Sequence, residues 1–163
     1  MLAMQISQFV LYHGSDTDVK LPVCDSGSRY RDFGQCFYTT YDRSTAQDWA
    51  EKMQALSPVV NKYAFNLKHM PTADLRIKRF QADAEWAEFV YNNRENSRFH
   101  RPAYDIIIGP IADRGLSDEF KKVKRGKATF AEIAPLIHYD KYNSYQVAFC
   151  SKKALNLLTY LDK

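Results

Sequence analysis

The chain has 163 residues, of which 45% are hydrophobic and 26% charged, and its net charge is +4. That is the composition of one globular domain with a real core; it excludes a disordered, collagen-like or histone-like chain. No apolar stretch is long enough for a membrane-spanning helix. The start, Met1 to Gln5, has no basic stretch ahead of a long apolar run, so no secretory leader is expected and the cytoplasm is the expected compartment. Cys24, Cys36 and Cys150 form no CxxC pair and no zinc-type spacing with histidine, which predicts three reduced thiols and no bound metal. Without an internal repeat or a Pro/Gly/Ser-rich linker, residues 1–163 are expected to form a single domain.

In chain order, Gln8 to His13 predicts a strand of buried character, and residues 14–34 a long loop poor in apolar side chains. Asp42 to Leu56 carries Ala46, Trp49, Ala50, Met53 and Leu56 at helical spacing, with Asp42 or Ser44 as cap. Val59, Tyr63, Phe65 and Leu67 predict a half-buried strand, and Leu75 to Phe80 a shorter one. Ala84 to Asn93 predicts a helix capped by Asp83, with Trp86, Phe89 and Val90 inward. The run Tyr104 to Ile108, stopped by Gly109-Pro110, predicts a central strand covered on both sides. A helix is expected around 116–124, and another from Thr129, which forms a capping box with Glu132. Tyr145 to Cys150 predicts a strand; Ser151 caps a final helix through Ala154, Leu155 and Leu158. Strands and helices without strict βαβ alternation point to an α+β fold.

Three separated strings each set a functional group in an apolar, strand-like stretch: Leu11-Tyr12-His13-Gly14-Ser15, Asp32-Phe33-Gly34-Gln35-Cys36-Phe37-Tyr38-Thr39, and Tyr145-Gln146-Val147-Ala148-Phe149. Taken singly, each reads as ordinary structure: a strand-end histidine with a turn glycine, an aromatic strand, and a glutamine on a solvent face. Imidazole can donate and accept hydrogen bonds at neutral pH. Glycine lets a ligand approach the backbone closely.

Taken together, and with Gln47 and Trp49-Ala50 on the intervening helix, the segment Tyr104-Asp105-Ile106-Ile107-Ile108-Gly109-Pro110-Ile111-Ala112-Asp113, and Ala154-Leu155, the strings resemble the ADP-ribosyltransferase superfamily in its His-Tyr-Glu branch. They are most similar to a bacterial and phage family catalogued as a domain of unknown function. The resemblance covers nearly the whole chain. It implies an α+β ADP-ribosyltransferase-like fold, with two packed, roughly perpendicular β-sheets flanked by helices around an NAD cleft. It further implies that His13 hydrogen-bonds a ribose hydroxyl, that the Gly14 backbone holds the nicotinamide amide, and that Tyr38 stacks on the nicotinamide ring. Gln146 falls where many such transferases carry Glu. The expected catalytic set is therefore His13, Tyr38 and Gln146, and the expected NAD-binding set His13, Gly14, Ser15, Arg31, Tyr38 and Asp113. Arg31 is included because a guanidinium fork matches pyrophosphate oxygens.

A neutral amide at position 146 keeps hydrogen bonds to the ribose but withholds charge from the developing oxocarbenium, and losing one such contact costs on the order of 100-fold in rate. Asp105 and Asp113 are the candidate substitutes; Asp113 reads equally as a turn cap. The implied activity is mono-ADP-ribosylation of a macromolecule, protein or nucleic acid, with NAD as co-substrate. The family analogy adds a toxin neutralised by a small antitoxin protein. Two other readings stand beside it. One is a non-catalytic module of the same fold that binds a nucleotide or a protein. The other is a nucleic-acid-binding protein using its tyrosines and the basic cluster Lys121 to Lys127, which reads equally as a solvated helix end.

Overall fold

A computed structural model describes residues 8–24, 27–53, 56–69, 73–99, 103–112, 115–138 and 145–163. The elements run β1 (Gln8–Ser15), β2 (Phe37–Thr40), α1 (Arg43–Lys52), β3 (Val59–Asn66), β4 (Ile77–Arg79), α2 (Ala84–Glu95), β5 (Ile106–Pro110), α3 (Leu116–Lys124), α4 (Phe130–Ile137), β6 (Tyr145–Phe149), α5 (Lys152–Leu155) and β7 (Leu158–Asp162). The fold is α+β. Among the described residues, no helix is long and apolar enough to cross a membrane.

Helix starts follow the chemistry of short polar side chains. The Asp42, Asp83 and Ser151 side chains accept from the Thr45, Trp86 and Ala154 amides, each satisfying a first-turn donor that has no partner within the helix. Thr129 and Glu132 close the reciprocal capping box of α4.

The strands are hydrogen-bonded into one seven-stranded sheet, in the order β4-β5-β6-β2-β1-β3-β7, rather than the two sheets expected. Among the described strands, only β4 and β5 run parallel. The joint between the halves is narrow: β1 and β2 pair at Tyr12 opposite Thr40, whereas β2 pairs with β6 along its whole length. The sheet bends sharply there. Phe65 on β3 and Phe149 on β6 have ring centroids 5.4 Å apart, yet three strand spacings in a flat sheet would separate those strands by about 14 Å. The two halves thus face each other across a core of Leu11, Phe37, Tyr63, Phe65, Ile106, Val147 and Phe149. A second core, on the other face, packs Tyr38, Ile107 and Ala148 against Trp86, Val90, Ile133 and Ile137 of α2 and α4. Ile106 and Ile107 each belong to one of these cores, so β5 is covered on both sides as expected.

Four local expectations change. Strand β5 runs through Gly109 and Pro110, paired with Gln146 and Tyr145, rather than stopping before them. The final helix is a single turn, and Leu158 instead begins β7, paired with Phe65, because the open edge of β3 offers backbone partners that a helix would leave unused. Helix α1 stops at Lys52, leaving Met53 and Leu56 exposed rather than on its buried face. Cys36 and Cys150 are joined in a disulfide across 114 residues, so one of the three cysteines, Cys24, is free. Cys36 and Cys150 flank the Phe37–Phe149 pair at the adjoining ends of β2 and β6, which brings their Cα atoms to 4.4 Å.

Candidate functional site

Where β1 and β2 part beyond the Tyr12–Thr40 pair, the His13 ring spans the opening. Its Nδ1 lies 2.6 Å from the Tyr38 carbonyl oxygen. A carbonyl only accepts, so this contact assigns the proton to Nδ1 and leaves Nε2 as a lone-pair acceptor. The ring also packs on Phe37, with centroids 4.2 Å apart. Burial pushes the His13 pKa down to about 4; the bond to the Tyr38 carbonyl works against that shift, and the Arg31 charge adds to it. His13 is therefore neutral at pH 7, a fixed acceptor at a strand opening.

The opening is the mouth of a cavity of about 620 Å³, within the range of small-molecule and cofactor sites. His13, Gly14, Ser15, Arg31 and Tyr38, five of the sequence-predicted residues, line it together with Trp49 and Lys52 of α1. No carboxylate is among its described lining residues, while Arg31 and Lys52 bring positive charge.

Two of these residues also have plain structural jobs. A Cβ at Gly14 would lie 2.0 Å from the Ala46 carbonyl oxygen and 2.8 Å from the Ala50 amide nitrogen, so glycine is what lets α1 seat on β1. Tyr38 is 2% exposed. Its hydroxyl donates to the Gly34 carbonyl at 2.6 Å and accepts from the Phe33 amide at 3.0 Å, clamping the turn in which Gly34 takes φ +85°. The Arg31 guanidinium lies over the Tyr38 ring, 4.3 Å from its centroid, and covers the face expected to receive a heterocycle.

Gln146 does not line the cavity. Register sets it opposite Thr40 on β2 and Gly109 on β5, on the sheet face that Tyr38 shares, and it is buried. Its Nε2 donates to Asp32 Oδ2 at 2.8 Å and to the Pro110 carbonyl at 3.1 Å. Asp32, 4% exposed, also accepts from the Ala112 amide at 3.1 Å and from Arg94 Nε at 2.7 Å, in an ion pair with that guanidinium. Glutamine satisfies this arrangement because its amide nitrogen gives Asp32 a proton that a carboxylate could not give. In the sequence Asp32 is merely the first residue of the Asp32–Thr39 string, with nothing local to mark its role. Arg94, 62 residues away, carried no signal.

Of the candidate substitute carboxylates, Asp113 lies outside the described residues. Asp105 borders a separate cavity of about 570 Å³ with Arg29, Gln35, Asn93 and Ser151. Burial disfavours the Asp105 charge, but the Ser151 hydroxyl at 2.6 Å, the Arg76 amide at 2.8 Å, and the Lys153 and Arg76 charges outweigh it and hold its pKa below the usual range. In the basic cluster, Lys121, Lys122 and Lys124 pair with Asp118, Glu119 and Glu95, as at an ordinary solvated helix end.

No curated protein and no solved structure matches the chain. A family model does match, over residues 9–160; its description is "Protein of unknown function (DUF3990)". The chain therefore belongs to this family, which is a domain of unknown function, the kind of family the separated strings pointed to.

Proposed function

We propose that the chain is an NAD-dependent mono-ADP-ribosyltransferase with an ADP-ribosyltransferase-like fold. The observation that carries this reading is the cavity itself. Residues from β1, the 16–36 loop, β2 and α1 converge there, and a neutral His13 presents a lone pair beside an aromatic wall and two cations. A ribose hydroxyl would donate to His13 Nε2. The Gly14 and Ser15 backbone would meet the carboxamide, and Arg31 and Lys52 would neutralise the pyrophosphate. The bond between nicotinamide and the ribose breaks with its electron pair leaving on nicotinamide. An acceptor nucleophile then bonds to the ribose carbon and releases a proton to solvent. The acceptor is a macromolecule, and by family analogy the protein acts as a toxin held in check by a small antitoxin protein in the cytoplasm.

A second reading, a module that binds NAD without transferring ADP-ribose, has its own support: Gln146 is committed to Asp32, and no carboxylate is among the described lining residues. Incubating purified protein with NAD labelled in the adenylate half and a cell lysate separates the two. The transferase reading expects label on a macromolecule and stoichiometric nicotinamide release. NAD binding with neither product would leave the binding module standing and sink the transferase.

A further inference from the structure

Tyr38 belongs to the cavity wall and yet is almost fully buried. Part of what covers it is the chain's own Arg31, whose guanidinium sits 4.3 Å from the ring centroid. A guanidinium is flat and cationic, and an aromatic face attracts such a group. The pyridinium of oxidised NAD is also flat and cationic, so the two compete for one surface. Arg31 is itself solvent-exposed, and no ion-pair partner for it is found among the described residues, so side-chain rotation alone can move it off the ring. Its backbone stays pinned, with the Arg31 carbonyl accepting from the Gly34 amide at 3.1 Å in the turn that Tyr38 clamps.

Resting on the reading of this cavity as an NAD site, we propose that Arg31 is an internal occupant of the ring slot on Tyr38 and thereby sets specificity: an entering ring must displace the guanidinium, and the displaced guanidinium then pairs with the pyrophosphate joined to that ring. A ring without phosphates has to break the arginine–tyrosine contact and gains nothing for it. A dinucleotide exchanges one arginine contact for another. The site therefore favours intact NAD over free nicotinamide, and the return of Arg31 to Tyr38 helps expel nicotinamide once the bond is cut.

Isothermal titration of the wild type, Arg31→Ala and Arg31→Lys with two probes, nicotinamide and ADP-ribose, tests this. Removing the cover should tighten nicotinamide binding about fivefold. Removing the phosphate partner should weaken ADP-ribose binding about tenfold. Lysine keeps a point charge but no planar fork, so it should restore part of the ADP-ribose affinity while nicotinamide stays tight. Opposite movement of the two probes supports the proposal. Movement in the same direction, or an unchanged nicotinamide affinity, overturns it while leaving the NAD site intact. A wild type that binds neither probe nor NAD overturns the site itself. Matching thermal midpoints show that an exposed side chain has been changed without disturbing the fold.

Discussion

The most informative perturbation is Gln146→Glu. The resemblance to ADP-ribosyltransferases argues that, if a missing charge limits the rate, a carboxylate at this position should raise activity. The structure argues for a different first effect. Gln146 Nε2 gives its proton to Asp32 Oδ2 at 2.8 Å in a buried setting. Glutamate would face that oxygen with another oxygen. Two unit charges at that separation repel by about 6 kcal/mol at an effective dielectric of 20. Arg94, which already holds Asp32, offsets part of this, and proton uptake caps the rest. The lost charge-assisted hydrogen bond alone costs about 1.5–3 kcal/mol, which brings the expected loss to about 3–5 kcal/mol at pH 7.5. The sign with pH is fixed. The new glutamate has a folded pKa above its unfolded one, so the folded state binds more protons between the two. The penalty is then absent below the unfolded value and complete above the folded one. Urea unfolding of wild type and variant from pH 4 to 8 measures it. The double variant Asp32→Asn/Gln146→Glu restores a donor facing an acceptor between the two side chains and should recover part of the loss as a coupling energy; the Ala112 amide and the Pro110 carbonyl, which Asp32 and Gln146 also serve, still lose their partners. Equal stability at pH 7.5, or a loss that does not shrink on acidification, would refute the argument and return Gln146 to the role of a freely exchangeable site residue.

Three further outcomes are expected. The His13 imidazole resonances should stay flat from pH 8 to about 5.5 and titrate near pH 4, because the folded pKa is about 4 against an ordinary 6.5. The unfolded chain takes up that proton first, so this group's contribution of at most about 3 kcal/mol is present above pH 6.5 and lost as pH falls through 4; a midpoint near 6.5 contradicts it. Gly14→Ala should cost about 3 kcal/mol or more in urea unfolding, because its Cβ would meet helix backbone at 2.0 Å, and near-neutral stability would show that α1 can shift freely. Tyr38→Phe should lower stability by about 2–3 kcal/mol, since it strips partners from the Gly34 carbonyl and the buried Phe33 amide; a loss of ligand binding with unchanged stability would place the hydroxyl's work in the site instead.

What was legible in the sequence was local. The Thr129–Glu132 capping box, the caps at Asp42, Asp83 and Ser151, and the Ile106–Ile108 run each carry their cause within a few residues of their effect. The meeting of His13, Gly14, Ser15 and Tyr38 at one cavity was legible as a pattern of strings, and Arg31 as a cation beside them; the third string's Gln146 does not line it, and the physical reason for each residue was not legible. Gly14 reads as a ligand contact, yet what its missing side chain avoids is α1, and no sequence window shows a helix 32 residues on resting against it. Asp32 is only the first residue of a string; its partners Arg94 of α2, Ala112 just past β5 and Gln146 of β6 are all distant in sequence. The Cys36–Cys150 bridge has no spacing signature, because it follows from the β2–β6 register alone. Leu158, the first residue of β7, fits helical spacing with Ala154 and Leu155, and the open edge of β3 draws it into a strand instead.

The same residues that mark the pattern divide by physical task. His13 and Arg31 meet at the cavity around Tyr38, while buried Asp32 and Gln146 form a charged network with the partly exposed Arg94, with no member among the cavity's described lining residues. Register joins the two groups: Tyr38 stands opposite Ala148 and Thr40 opposite Gln146, so shifting the network by one residue would turn Tyr38 to the other face of the sheet. Gln146 therefore serves the cavity even without touching it, by helping to hold β2 and β6 in the register that presents Tyr38. It follows that the three strings would persist in a family member that only binds, since the fold requires them for the cavity's shape. What separates transfer from binding is a negative charge brought to the ribose, and the described lining residues supply none. A transferase of this form must draw that charge from the acceptor, from the ligand's own phosphates, or from a residue that enters the cavity when ligand does. Only the first source makes nicotinamide release depend on a second component: if the acceptor supplies the charge, NAD alone should be turned over far more slowly than NAD with its acceptor, whereas equal rates would place the charge in the ligand or in the protein.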